Sequence, residues 1–145
     1  MPKMLDLIRM VQRGDIPPPP VATLVGFTLA AVEPGSAVVE FEATELHANP
    51  MGTLHGGIFC DVADAAMGMA WAATLDEGET FTTLELKINF LRPVWTGKLT
   101  ATGRVVNGGR TVGLVECDVV DDKRRLVARA SSTVMTLRNE QTLGR

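Results

Sequence analysis

The chain has 145 residues, 46% of them hydrophobic and 21% charged, with 14 basic and 17 acidic side chains giving a formal net charge of -3. That length suits one domain with a real core, and the composition excludes both extensive disorder and the basic surplus of a nucleic-acid binder. Two cysteines (Cys60 and Cys117) cannot build a disulfide scaffold, two histidines (His47 and His55) give no obvious zinc site, and no apolar run nears the ~20 residues of a membrane helix. Charge interrupts the N-terminus too early for a secretory signal, so a soluble cytoplasmic protein is expected.

Met4, Leu7, Ile8 and Val11 fall at helical spacing and predict a short amphipathic helix over 4–11, ended by Gly14. Four prolines at 17–20 force an extended spacer, and 21–25 can add one helical turn behind them. From Phe27 the period changes to two. Segment 27–32 and the alternation of Val39, Phe41 and Ala43 predict a hairpin around Pro34-Gly35. Segment 57–75 is apolar nearly all round, which marks a buried helix, and its small residues Ala63, Ala65, Ala66, Gly68 and Ala70 allow close backbone approach. Leu84, Leu86, Ile88 and Phe90 then alternate with Thr83, Glu85, Lys87 and Asn89 as a strand ending at Pro93. Strands over 98–106, 111–120 and 126–137 follow, separated by Asn107-Gly108-Gly109 and by a charged turn at 121–124. The order predicts an α+β domain in which an antiparallel sheet embraces one long helix. Residues 1–20 form a leader, 21–138 the domain, and 139–145 a loose tail.

Two carboxylates, Asp61 and Asp64, lie inside the apolar helix, where ionised groups are seldom placed without a partner or a purpose. A wet seam, or the attraction of Asp61 to the positive helix start, would also account for them. The loop Asn49-Pro50-Met51-Gly52-Thr53-Leu54-His55-Gly56-Gly57 feeds directly into the helix. Amides at a helix start lack internal partners, and glycine lets a carbonyl approach them, as oxyanion stabilisation needs. Taken singly, Gly-Gly is a turn, His55 a capping or packed histidine, and Asn49 a turn former; together, ahead of an acid-bearing helix, they read as a site.

Asn49, Gly52 and His55-Gly56-Gly57, with Asp64 nine positions after His55, resemble the hotdog-fold thioesterases, specifically the PaaI-type branch of the 4-hydroxybenzoyl-CoA thioesterase superfamily. The stretch Thr83 to Pro93 is similar to that family's strand and proline-marked bend. The resemblance implies a single hotdog domain, acyl-CoA hydrolysis without cofactor or metal, and a homodimer or homotetramer whose sites lie between subunits. It implies Asp64 as general base or nucleophile, the Gly57 amide as oxyanion donor, His55 orienting the thioester and Asn49 positioning carbonyl or water. Thr83 corresponds best to a water-assisting hydroxyl, with Thr82 the alternative. Asn107, Gly108, Gly109, Arg110 and Thr111 resemble the turn that meets the nucleotide end of CoA; Arg92 and Arg138 are weaker candidates. Phe59, Met67, Trp71, Leu91 and Trp95 are candidate pocket residues, though most read equally well as core. The rival readings are a hotdog hydratase or dehydratase, and a non-catalytic acyl-CoA-binding module. No nucleic-acid or membrane partner is expected.

Overall fold

Residues 2–143 are described by a computed structural model. Two short helices, α1 (Met4–Arg13) and α2 (Pro20–Val25), precede the hairpin of β1 (Phe27–Glu33) and β2 (Ser36–Ala43). The long helix α3 (Gly56–Ala72) follows, and then β3 (Thr80–Phe90), β4 (Gly97–Gly108), β5 (Val112–Val120) and β6 (Leu126–Leu137). The six strands form one antiparallel sheet in the order β1-β2-β4-β5-β6-β3. This is the α+β hotdog layout, with the sheet curved around α3.

Small residues permit the wrap. A Cβ on Gly103 of β4 would collide with the Ala66 carbonyl of α3, and one on Gly113 of β5 would enter the Trp71 ring. Strand and helix backbones therefore touch where glycine faces alanine. Ala63, Ala66, Met67 and Ala70 are fully buried in that contact. The Trp71 indole N–H donates to Thr136 Oγ1 at 3.2 Å, so its polar atom is satisfied inside the core.

Two local expectations change. Leu84 is not on the core face but is 53% exposed, because it is the extra residue of a β-bulge between Thr83 and Glu85. Across the bulge Thr83 pairs with Val134 and Leu86 with Ser132, both interior positions of β6, so Thr83 and Leu86 share one face despite odd spacing. The tail is not loose throughout: Asn139–Thr142 forms a 3-10 turn, with Gln141 Oε1 accepting from the Arg138 amide. Residue 1 of the expected leader and residues 144–145 of the expected tail lie outside the described residues. No helix among the described residues is long and apolar enough to cross a membrane.

Candidate functional site

The loop before α3 is closed by its own side chains. Asn49 Oδ1 accepts from the amides of Met51 (2.9 Å) and Thr53 (3.2 Å), and Asn49 Nδ2 donates to Thr53 Oγ1 at 2.8 Å. Gly52, with φ at +88°, makes the reversal that a side chain would strain. Asn49 is thus a turn former, with one amide hydrogen that has no acceptor among the described residues. His55 caps α3: its Nδ1 accepts from the Gly57 amide at 2.9 Å. That bond uses Nδ1 as the acceptor and leaves Nε2 of this exposed residue as the ring's donor. A Cβ on Gly57 would stand 3.0 Å from His55 Nδ1, so glycine also gives the cap its room. The Gly57 amide is therefore already engaged by the imidazole nitrogen, and another acceptor could bind it only in that nitrogen's place.

Asp64 lies two turns further along α3, about 10 Å up the axis from Gly57. The half-buried Thr83 hydroxyl donates to Asp64 Oδ1 at 3.0 Å. The bulge at Leu84 turns Thr83 toward the helix, which distinguishes it from Thr82 on the opposite face. Asp61 sits on the exposed side, and partial desolvation, then the nearby Asp64 charge, push its carboxyl above the ordinary value.

The predicted residues divide between two concavities. Asp64 lines a pocket of about 640 Å³, bounded by α1, α2 and β1 on one side and by α3 and Phe81 on the other. His55, Gly57 and Asp61 line a second, of about 460 Å³, beside His47 and Ile58. The chain therefore brings Asp64 to Thr83 but not to the Gly57 amide or His55 at its own helix start. None of Phe59, Met67, Trp71, Leu91 and Trp95 lines the Asp64 pocket. The first three are buried beneath the sheet, whereas Leu91 and Trp95 are 55% and 60% exposed. Their place is taken by Leu7 and Val11, which the sequence signalled only through the apolar stripe of the leader helix, by Met69 of α3 and by Phe81 of β3.

The turn after β4 lies beyond the other end of α3, where Gly108 packs toward Trp71. Neither concavity includes Asn107, Gly108, Gly109, Arg110 or Thr111. Arg138 staples this turn: its guanidinium donates to the Arg110 carbonyl, to Thr111 Oγ1 at 3.4 Å and to Glu79 Oε1 at 2.6 Å. The Arg110 side chain itself is exposed. No grouping of three or more His, Cys, Asp or Glu side chains placed to hold a metal occurs among the described residues.

The Thioesterase superfamily profile matches residues 51–128, which span the helix-start loop from Met51 onward, α3, Asp64 and Thr83. This chain belongs to that superfamily. Within it, two relatives place the chain among the thioester hydrolases of the PaaI-type branch. It is 30% identical over 110 residues to 1,4-dihydroxy-2-naphthoyl-CoA hydrolase of Listeria monocytogenes, covering 76% of this chain and 89% of the relative. It is likewise 30% identical over 108 residues to acyl-coenzyme A thioesterase PaaI of Escherichia coli, covering 74% and 75%. The crystal structure of a phenylacetic acid degradation-related protein from Ralstonia eutropha superposes with a TM-score of 0.81 at 35% identity, covering 88% of this thioesterase and 98% of that chain.

Proposed function

We propose that this thioesterase hydrolyses acyl-CoA thioesters to the free acid and CoA, with Asp64 as general base. The observation that carries the reading is the Thr83–Asp64 hydrogen bond in the wall of an apolar pocket. The Thr83 hydroxyl, donating to Oδ1, keeps its lone pairs for one hydrogen of a water. Asp64 accepts the other as the water oxygen attacks the thioester carbonyl. The tetrahedral oxyanion then collapses, the C–S bond breaks, and the proton held on Asp64 passes to the departing CoA sulfur. A hydroxyl paired with a carboxylate suits a bound water better than direct carboxylate attack, so we assign the base role over the nucleophile role.

The oxyanion donors come from a second copy of the chain. Strand β3 is an edge strand of eleven residues with Leu84 and Phe90, 53% and 54% exposed, and such an edge invites pairing. Two-fold pairing there sets two α3 helices side by side and antiparallel. The start of one, with its Gly57 amide, His55 Nε2–H and free Asn49 hydrogen, then faces Asp64 of the other. The relatives' names supply the leaving group: both act on CoA thioesters. The exposed Arg110, on the turn that Arg138 holds, is our candidate for the CoA phosphates.

Purified protein is expected to release CoA thiol from an acyl-CoA panel, and no release from any member overturns the assignment. Mixing inactive Asp64→Asn and Asn49→Ala subunits is expected to restore activity, because half of each heterodimer's sites are intact. No restoration on mixing, with subunit exchange verified, overturns the shared site.

A further inference from the structure

Helix α1 covers the Asp64 pocket without filling it. Its apolar stripe of Met4, Leu7, Ile8 and Val11 faces Ala65, Gly68 and Met69 of α3 across about 640 Å³ of space. Protein interiors normally close such gaps to near crystal density, and this volume falls in the range of small-molecule sites. The helix is nevertheless held in place. Gly14 ends it in the left-handed conformation, and Gln12 Nε2 donates to the Ala30 carbonyl of β1 at 2.8 Å. An amphipathic helix pinned over a gap, with its greasy side toward the gap, is built to rest on an apolar guest.

The wall also says what the guest lacks. Among the described residues Asp64 is the sole charged side chain lining the pocket, and no lysine or arginine of them lines it. The Gln12 amide, a neutral polar group beside that stripe, gives one N–H to β1 and carries no charge. A carboxylate carried at the far end of an acyl group would be buried beside Asp64 with no cation, which is strongly unfavourable.

We infer that α1 and the floor of α3 form the acyl chamber, and that it selects thioesters of uncharged apolar acyl groups, with Leu7 and Val11 as specificity-determining residues. This rests on the reading of Asp64 as the base and adds which acyl class the base serves. The test compares kcat/KM for acetyl-, hexanoyl- and glutaryl-CoA. Wild type is expected to favour hexanoyl over acetyl by about 100-fold, from four additional buried methylenes. It is expected to reject glutaryl-CoA to a similar degree. Leu7→Ala lowers the hexanoyl-to-acetyl ratio about tenfold. Leu7→Lys supplies the missing cation and shifts preference toward glutaryl-CoA by at least about tenfold.

Equal turnover of hexanoyl- and glutaryl-CoA by wild type overturns the inference, as do ratios unmoved by both substitutions. If no thioester is turned over, it is the base assignment that falls. Calorimetry with S-hexyl-CoA and S-methyl-CoA thioethers then still reads the chamber. Tighter binding of the hexyl compound, weakened by Leu7→Ala, upholds it, and equal affinities sink it.

Discussion

Replacing Asp64 by Asn isolates the proton acceptor from everything else at the site. The amide oxygen of asparagine still accepts from Thr83, so the 3.0 Å hydrogen bond and the local packing survive. What disappears is the capacity to take a proton from water. Loss of a positioned general base costs about 10²–10⁴ in kcat, equivalent to about 3–5 kcal/mol of barrier. Thr83→Val keeps the base but removes a hydrogen bond to a carboxylate and the second water contact, worth about 1.5–3 kcal/mol, or about 10–100-fold. Because Thr83 acts through the water that Asp64 activates, the double variant is expected to be no slower than Asp64→Asn alone. The assay is thiol release under saturating acyl-CoA, with thermal melts to verify folding and S-hexyl-CoA affinity to verify the pocket. Removing the Asp64 charge also relieves Asp61, whose carboxyl titration, followed by NMR, is expected to move down toward its ordinary range. Retention of more than a tenth of wild-type kcat by Asp64→Asn, or additive losses in the double variant, would refute the reasoning.

Three predictions concern the scaffold. Gly103→Ala drives a methyl into the Ala66 carbonyl of α3, and since both partners are backbone it is expected to destabilise by about 3 kcal/mol and lower Tm by about 10 °C in a melt. Ser132, fully buried on β6 with no hydrogen-bond partner for its hydroxyl among the described residues, is expected to tolerate Ala with a gain of up to about 1 kcal/mol in urea unfolding; a loss of that size would mean the hydroxyl has a role the packing hides. Asp118 bridges Arg129 (2.7 Å) and Arg104 (3.1 Å), and these guanidiniums hold its carboxyl below the ordinary range. A depressed folded-state value stabilises above the unfolded carboxylate range and is lost as pH falls through the folded value. Asp118→Asn is therefore expected to cost at most about 1 kcal/mol at pH 7, since both arginines are solvated, and the gap to wild type should close below about pH 4 in urea titrations.

Much of this architecture is legible along the chain because its signals are local and repeated. The all-round apolar helix and its alanines report burial through spacing alone, and the alternation of 84–90 reports a strand, though not the exposure of Leu84 and Phe90. What escapes is what depends on a partner. The bulge at Leu84 exists because β3 must match β6 while presenting both Thr83 and Leu86 inward, and no window within β3 carries that requirement. Spacing therefore left Thr82 and Thr83 open, whereas one hydrogen bond to Asp64 separates them.

The same logic explains why the chemistry looked more concentrated in the sequence than it is in one protomer. The stretch from His55 to Asp64 reads as a single motif, yet α3 carries Gly57 and Asp64 two turns apart, with the amide and the carboxylate opening onto different pockets. A helix cannot bend its own start back onto its second turn. Proximity in sequence therefore forces separation within the subunit, and only a second helix, running the other way, can bring a Gly57 amide to an Asp64 carboxylate. The acyl chamber escapes for the complementary reason. The stripe on α1 predicts an apolar contact, but a cavity is the contact not made, and it arises from how far Gln12 and Gly14 hold that helix from α3. If that spacing is what admits the acyl group, then filling it from the floor should act like shortening the substrate. Ala65→Leu is expected to depress hexanoyl-CoA turnover more than acetyl-CoA turnover by about tenfold, read as the ratio of kcat/KM, and an unchanged ratio would place the acyl group elsewhere.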